Sequence, residues 1–273
     1  MPARCSRLTR AVCVAAALAA AACGPKRLTL PTDTGTPLAD LATVHASVSR
    51  ACRGARTLTA ELSLSGHAGQ TKLRGRVHAG FERPVSMRLE GVAPFGPPAF
   101  VLVARAGEAT LLIPREERVV RGASPEDVLG ALTGVALAPA DLHAVLTGCV
   151  LPDPTPRGGR VHANGWASID LDGSAVLYLR RVNGSWQPQA ATRQGWNVQY
   201  SMWQGDFPRV VVLRSMSGLD VEISAAVSQL EANVPLAAAA FTVTVPPGTG
   251  RLTLEELRDA GPLRDASAPR GEK

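Results

Sequence analysis

Residues Glu108 to Gly148 read EATLLIPREERVVRGASPEDVLGALTGVALAPADLHAVLTG, and the change of period inside this stretch decides the fold. Ala109, Leu111, Leu112 and Ile113 make an apolar strand, Pro114-Arg115-Glu116-Glu117 turns the chain, and Val119 and Val120 bring it back. At Ser124 the pattern changes from strand to helix. Ser124-Pro125-Glu126-Asp127 supplies a hydroxyl cap, a proline suited to the first helical position, and acids at the positive end of the dipole. Val128, Leu129, Leu132, Val135 and Ala136 then recur at helical spacing. A second short helix opens at Pro139 or Ala140, carries Leu142, Val145 and Leu146 on one side, and ends at Gly148. Two short apolar helices set in a run of strands must bury their apolar sides on a sheet face. They read as a cover over a sheet.

The flanking sequence supplies that sheet. Leu58, Ala60, Leu62 and Leu64 alternate with polar residues, as do Leu73, Val77, Ala79 and Phe81, and then Val85, Met87 and Leu89. Three such strands with short turns between them indicate antiparallel pairing. A loop rich in Pro and Gly, Val92 to Pro98, leads to an apolar run from Phe100 to Ala104. Beyond Gly148 a loop from Leu151 to Gly159 precedes further strands. These are Ala167 to Leu171, Val176 to Val182 closed by an Asn183-Gly184 hairpin signal, Trp196 to Met202, Val210 to Leu213, and Leu219 to Ala225. Phe241, Val243 and Val245 read as the strand that ends the sheet. Ahead of all of these, Leu38, Leu41, Val44, His45, Val48 and Cys52 fall at steps of three and four and predict an amphipathic first helix.

The chain has 273 residues and 45% hydrophobic content, ample for a core. Its first 22 residues read as an export signal: Arg4, Arg7 and Arg10 precede an uncharged apolar run, Ala11 to Ala22, too short to span a bilayer. Removing those three arginines from the 29 basic residues leaves 26 against 23 acidic ones, a net charge of +3. So small a charge, with no Lys/Arg run, excludes nucleic acid as the expected partner. Ala20-Ala21-Ala22-Cys23-Gly24 resembles the lipobox of bacterial lipoproteins, with Ala20 where Leu is commoner. The resemblance implies that Cys23 is the lipid-attachment site, and that Gly24, in place of Asp, directs sorting to the outer membrane. An ordinary secretory signal with an incidental Cys23 is the alternative. The expected organisation is therefore a signal peptide over 1–22, a lipidated N-terminus and flexible tether over 23–37, one domain over 38–260, and a loose polar tail over 261–273.

No catalytic constellation stands out. The sequence has no glycine-rich phosphate loop before a helix, no Gly-x-Ser-x-Gly elbow, and no Cys-x-x-Cys or His-x-x-x-His spacing. Its five histidines are scattered. The expectation is a non-enzyme with no catalytic residues, no metal and no cofactor; a hydrolase with a site assembled in space is the weaker alternative.

The order of elements resembles the LolA/LolB family of lipoprotein carriers, and LolB in particular. Three local motifs carry this: Pro94-Phe95-Gly96, the inserted helical segment Gly122 to Gly148, and Asn233-Val234-Pro235-Leu236 leading to Phe241 and Pro246. The resemblance covers roughly residues 38 to 260. It implies an α+β fold in which a strongly curved antiparallel half-barrel, covered by short helices, holds acyl chains on its concave face. It also implies a protein on the outer membrane, facing the periplasm and anchored through lipidated Cys23. Its partners are then acyl chains of lipoproteins or lipids, with a soluble periplasmic carrier as a further candidate. A non-carrier module for envelope assembly or stress sensing on the same fold is the alternative function.

Residue expectations follow. Leu62, Leu64, Leu73, Val77, Met87, Leu89, Leu111 and Ile113 should line the concave face, capped by Leu129, Leu132 and Leu142. Whether these helices are movable lids over a cavity or complete a solid core stays open at this point. Phe95 matches a protruding apolar residue that helps LolB deliver cargo to the membrane, and is expected to be exposed. Cys52 and Cys149 are the cysteines left once Cys5 and Cys13 leave with the signal and Cys23 is acylated. In an oxidising compartment they either form a disulfide or remain two buried thiols too far apart.

Overall fold

A computed structural model describes residues 28–218 and 220–264; the signal segment, Cys23, Gly24 and Leu219 lie outside the described residues. From Pro31 onward the chain forms one compact unit. Its elements are β1 (Thr36–Pro37), α1 (Leu41–Gly54), β2 (Thr57–Ala68), β3 (Thr71–Glu82), β4 (Ser86–Gly91), β5 (Phe100–Arg105), β6 (Glu108–Ile113), β7 (Arg118–Ala123), α2 (Pro125–Thr133) and α3 (Pro139–Leu146). There follow β8 (Pro156–Val161), β9 (Trp166–Leu171), β10 (Val176–Val182), β11 (Ser185–Arg193), β12 (Trp196–Ser201), β13 (Val210–Ser215), β14 (Val221–Ala232), β15 (Gly250–Arg251) and α4 (Leu254–Ala260).

All 15 strands join one open sheet in the order β1-β8-β9-β10-β11-β12-β13-β14-β2-β3-β4-β5-β6-β7-β15. Every pair is antiparallel except β15 with β7. The first strand of the long central hairpin, β2, also pairs with β14, so the two sequence halves of the sheet meet along Leu62, Leu64, Ala225 and Val227. Both edges end in strands of two residues.

Alternation does the folding. In β2, Leu58, Ala60 and Leu62 are buried while Ser63 is exposed, and in β3 Leu73, Val77, Ala79 and Phe81 are buried while Lys72, Arg74 and Arg76 are exposed. The apolar face is lined by two clusters. The first lies under β2 to β7 and takes in Leu129 and Leu132 of α2; the second lies under β9 to β14 and takes in Val145 of α3. Leu142 of α3 packs against both, so this helix lies along their seam. The sheet must curl strongly. β13 and β4 are four strand positions apart, which would be about 19 Å in a flat sheet, yet both contribute side chains to one small cavity.

The cover forms as its sequence dictates. The Ser124 hydroxyl accepts the Asp127 N–H at 3.1 Å, Pro125 opens α2, and Gly134 closes it at φ 79°, a left-handed conformation that costs glycine little. Pro139 opens α3.

Four expectations are corrected. Phe241, Val243 and Val245 do not end the sheet. The hairpin-like run stops at Ala232 and the chain crosses the outer face instead, where Phe241 is buried against Val101 and Val103, and Arg88 donates to the carbonyls of Ala240 and Thr242 at 3.0 and 2.9 Å. The stretch from Leu151 to Gly159 is not all loop, because Pro156–Val161 pairs with β9. The tether is fixed before residue 38: Asp33 accepts from the Ala163 N–H at 3.0 Å, and Thr36–Pro37 pairs with β8. The packed chain also runs past residue 260, since Leu263 is buried against the concave face; residues 265–273 lie outside the described residues.

Candidate functional site

Between the concave face and the cover lies an apolar cavity of about 90 Å³. Leu62 and Leu64 of β2, Val77 of β3 and Leu89 of β4 line it from the sheet, and Leu129, Leu132 and Leu142 line it from the cover. Leu73, Met87, Leu111 and Ile113 are buried in the same apolar cluster but stand behind this wall rather than on it. The remaining wall comes from Phe100, from Val135, Leu137, Val145 and Leu146 in or beside the helices, from Val211, Leu213, Ile223 and Ala225 on β13 and β14, and from Leu263. Thr133 is the polar side chain of the lining, and its hydroxyl donates to the Leu129 carbonyl at 2.8 Å. The cavity therefore presents no unsatisfied polar group to whatever enters it.

Sequence spacing missed two parts of this wall. β13 and β14 carry the required alternation, but nothing local says that the far half of the sheet curls back onto the near half. Leu263 sits in a segment whose polar neighbours mark it as a tail.

The two cover helices are held differently. At α3, Cys149 is joined to Cys52 of α1 by a disulfide that closes a sequence separation of 97, with Cα atoms 6.0 Å apart. Buried Arg193 donates to Asp141 and to the Val150 carbonyl, each at 2.8 Å, and the Tyr200 hydroxyl donates to the Cys149 carbonyl at 3.0 Å. Burial holds the Tyr200 phenol well above its ordinary pKa. It pushes His143 the other way, from 6.5 to about 4, with the nearby Arg83 charge adding to the effect. His143 packs edge-on to Phe81 with ring centres 5.9 Å apart, and its buried Nε2 has no partner among the described residues. His45 on α1 is lowered too, by burial and then by Arg53. On α2, in contrast, the side chains that hold the helix to the sheet are apolar: Val128, Leu129, Ala131 and Leu132.

Phe95 stands apart from all this. It is 86% exposed, in the loop between β4 and β5, with its carbonyl accepting from Arg115. Met216, 59% exposed, stands at the same end of the strands in the β13–β14 loop. Among the described residues no three His, Cys, Asp or Glu side chains cluster to hold a metal, and no helix is long and apolar enough to cross a membrane.

Two solved structures share this architecture. A LolA superfamily protein from Nitrosomonas europaea aligns over 72% of this chain and 96% of its own, with a TM-score of 0.50 at 10% identity. The fold is LolA-like. A DUF1329 family protein from Desulfovibrio piger aligns over 76% of this chain and 98% of its own, with a TM-score of 0.51 at 11% identity. No protein-family model matches the sequence, and no curated protein matches it as a relative. At such low identity the likeness is one of fold.

Proposed function

We propose that this chain is an envelope lipoprotein that holds acyl chains, of lipoproteins or of free lipids, on the concave face of its LolA-like sheet and passes them to the outer membrane. The observation that carries the proposal is the cavity, an apolar space between an apolar sheet face and two short helices. At about 90 Å³ it is smaller than the roughly 150 Å³ apolar void that admits benzene, so a whole acyl chain requires the cover to move. Each methylene transferred from water contributes about 0.8 kcal/mol, so a chain inserted over six carbons gains about 5 kcal/mol before ordering costs.

In this reading Cys23 carries the lipid anchor, residues 24–32 space the domain from the outer membrane, and the domain works in the periplasm. Phe95 offers the bilayer an apolar group on a loop stiffened by proline, and a soluble carrier on the periplasmic side is the donor. The reaction is binding and transfer, with no bond made or broken. The test is to express the protein with Cys23→Ser, extract it with organic solvent after purification from the periplasm, and identify co-extracted lipid by mass spectrometry. Stoichiometric acyl lipid is expected. Solvent extracts with no lipid, together with no uptake of a dansyl fatty acid, would remove the basis of the proposal.

A further inference from the structure

The cavity, at about 90 Å³, is too small for its proposed cargo, so part of its wall must move to admit it. After Pro246 and Pro247 the chain makes a two-residue parallel pairing with β7, forms α4 against α2, and then turns back to the sheet. There the Leu263 carbonyl accepts the Arg74 N–H at 2.9 Å, Arg264 sits opposite Leu73 in an isolated antiparallel bridge, and the Leu263 side chain becomes part of the cavity wall.

The sheet is shaped to receive it. Leu73, Val77, Ala79 and Phe81 form an inward apolar row along β3, and the position between Leu73 and Val77 on that face is Gly75. Its backbone has no left-handed φ, so glycine is not required there by conformation. Leu263 occupies the space a side chain would take: a Cβ at this position would stand 2.7 Å from Leu263 Cδ2, so a larger residue would push that side chain aside. The row has a notch, and Leu263 fills it. The strap that brings it is lightly held. Leu252, Leu257 and Leu263 are its fully buried side chains, while Arg251, Thr253, Glu255, Glu256 and Arg258 are exposed. Its other ties to the sheet lie at its near end: the Gly250 and Leu252 N–H groups donate to the Glu117 and Val119 carbonyls, each at 2.8 Å, and Arg118 donates to the Arg251 carbonyl and pairs with Glu256 at the surface, also at 2.8 Å. Among the described residues nothing comparable to the disulfide at α3 secures it.

We propose that the notch at Gly75, between β3 and α2, is the deep end of the acyl-chain site, and that Leu263 is a built-in stand-in for the chain which the cargo displaces. This rests on the acyl-binding reading above. The exchange is like for like, because a branched hydrocarbon side chain leaves an apolar notch and methylenes take its place. When no cargo is bound, the strap keeps the notch dry. When cargo enters, the strap lifts from β3, and α2, against which α4 packs, is freed with it.

The experiment compares three forms of the whole chain carrying Cys23→Ser: the parent, Leu263→Ala, and the pair Leu73→Cys with Arg264→Cys. Residues facing one another in an antiparallel bridge have Cα atoms about 4.5–5.5 Å apart, within disulfide range, so oxidation ties the strap down and mild reduction frees it. Mass spectrometry confirms that Cys52–Cys149 stays intact, and binding of 11-(dansylamino)undecanoic acid is titrated for each form. Apparent affinity scales with the fraction of molecules in which the site is vacant. Leu263→Ala is expected to bind about tenfold more tightly than the parent, and the oxidised pair about tenfold more weakly than the same protein reduced. Equal binding by the parent, Leu263→Ala and the oxidised pair would overturn the role of Leu263 and leave acyl binding standing. No binding by any form, including the reduced pair, would overturn both. The oxidised and reduced pair share one sequence, so their comparison holds even if Leu263→Ala folds poorly.

Discussion

Ala225→Leu separates an open cavity from a solid core. Ala225 lies on β14, is 7% exposed, and lines the cavity opposite the cover. If the space is real, three added carbons enter it without displacing anything, and at about 0.8 kcal/mol per carbon they contribute about 2.4 kcal/mol. The void gives an independent figure: 90 Å³ at about 24 cal/mol per Å³ corresponds to about 2.2 kcal/mol recovered on filling. Ordering the new side chain costs about 0.5–1 kcal/mol, which leaves a net gain of about 1.5 kcal/mol. Urea unfolding at neutral pH should therefore show a higher midpoint with an unchanged slope. Dansyl fatty acid titrated into the same protein should bind at least tenfold more weakly, because the new leucine occupies the ligand's place. In a filled core the same change would overpack and destabilise by about 1–3 kcal/mol. A lower midpoint with unaltered acyl binding would refute the reasoning.

Phe95→Glu is expected to leave the melting temperature within about 1 °C, since exposed substitutions fall within about 0.5 kcal/mol, and to leave acyl binding unchanged while slowing transfer to liposomes; a large drop in melting temperature would remove the delivery role. Replacing both Cys52 and Cys149 with Ala should cost about 3–5 kcal/mol in the chain-entropy picture for a loop of this length, and thiol labelling of the unreduced, denatured parent should find neither cysteine free. Because the folded state holds His143 at about 4, against about 6.5 unfolded, the unfolded chain binds that proton more readily. The contribution of neutral His143 is complete above pH 6.5 and is lost as pH falls to 4, by about 3 kcal/mol; His143→Phe should flatten the stability curve in that window, and an unchanged acid slope would rule this origin out.

Much of the fold was legible because its signals are local. The cap at Ser124, the prolines that open both cover helices, and the alternation in β2 and β3 each follow from a few neighbouring residues, and the structure places the elements there. What was not legible depends on distant partners. The segment Pro156–Val161 carries two glycines and two arginines, reads as loop by composition, and becomes a strand only because β9 offers it a ladder. Phe241 and Val243 have the alternation of a strand, but the outer face of β5 exposes Val101 and Val103 and draws them across the sheet as a cover. The cavity divides the same way. Seven of its residues were accessible from strand and helix phase, whereas Leu73, Met87, Leu111 and Ile113 point inward with equal regularity and end behind the wall because curvature, which periodicity does not encode, decides which inward side chains face space.

The same curvature fixes which part of the cover can yield. Opening over α3 would require that helix to move against the Cys52–Cys149 disulfide, the buried ion pair of Arg193 with Asp141, and the Tyr200 hydrogen bond, three ties that converge within nine residues of sequence. Opening over α2 parts apolar surfaces and, at the strap that packs on it, hydrogen bonds such as that from the Arg74 N–H to the Leu263 carbonyl. Gly122 and Gly134 flank that helix at φ 71° and 79°, where the backbone can swing at low cost. The strap ending in Leu263 lies against the yielding helix. On the proposed acyl-binding reading, a chain entering between β3 and α2 meets the part of the enclosure with the fewest polar ties, while α3 packs against both halves of the curved sheet behind it.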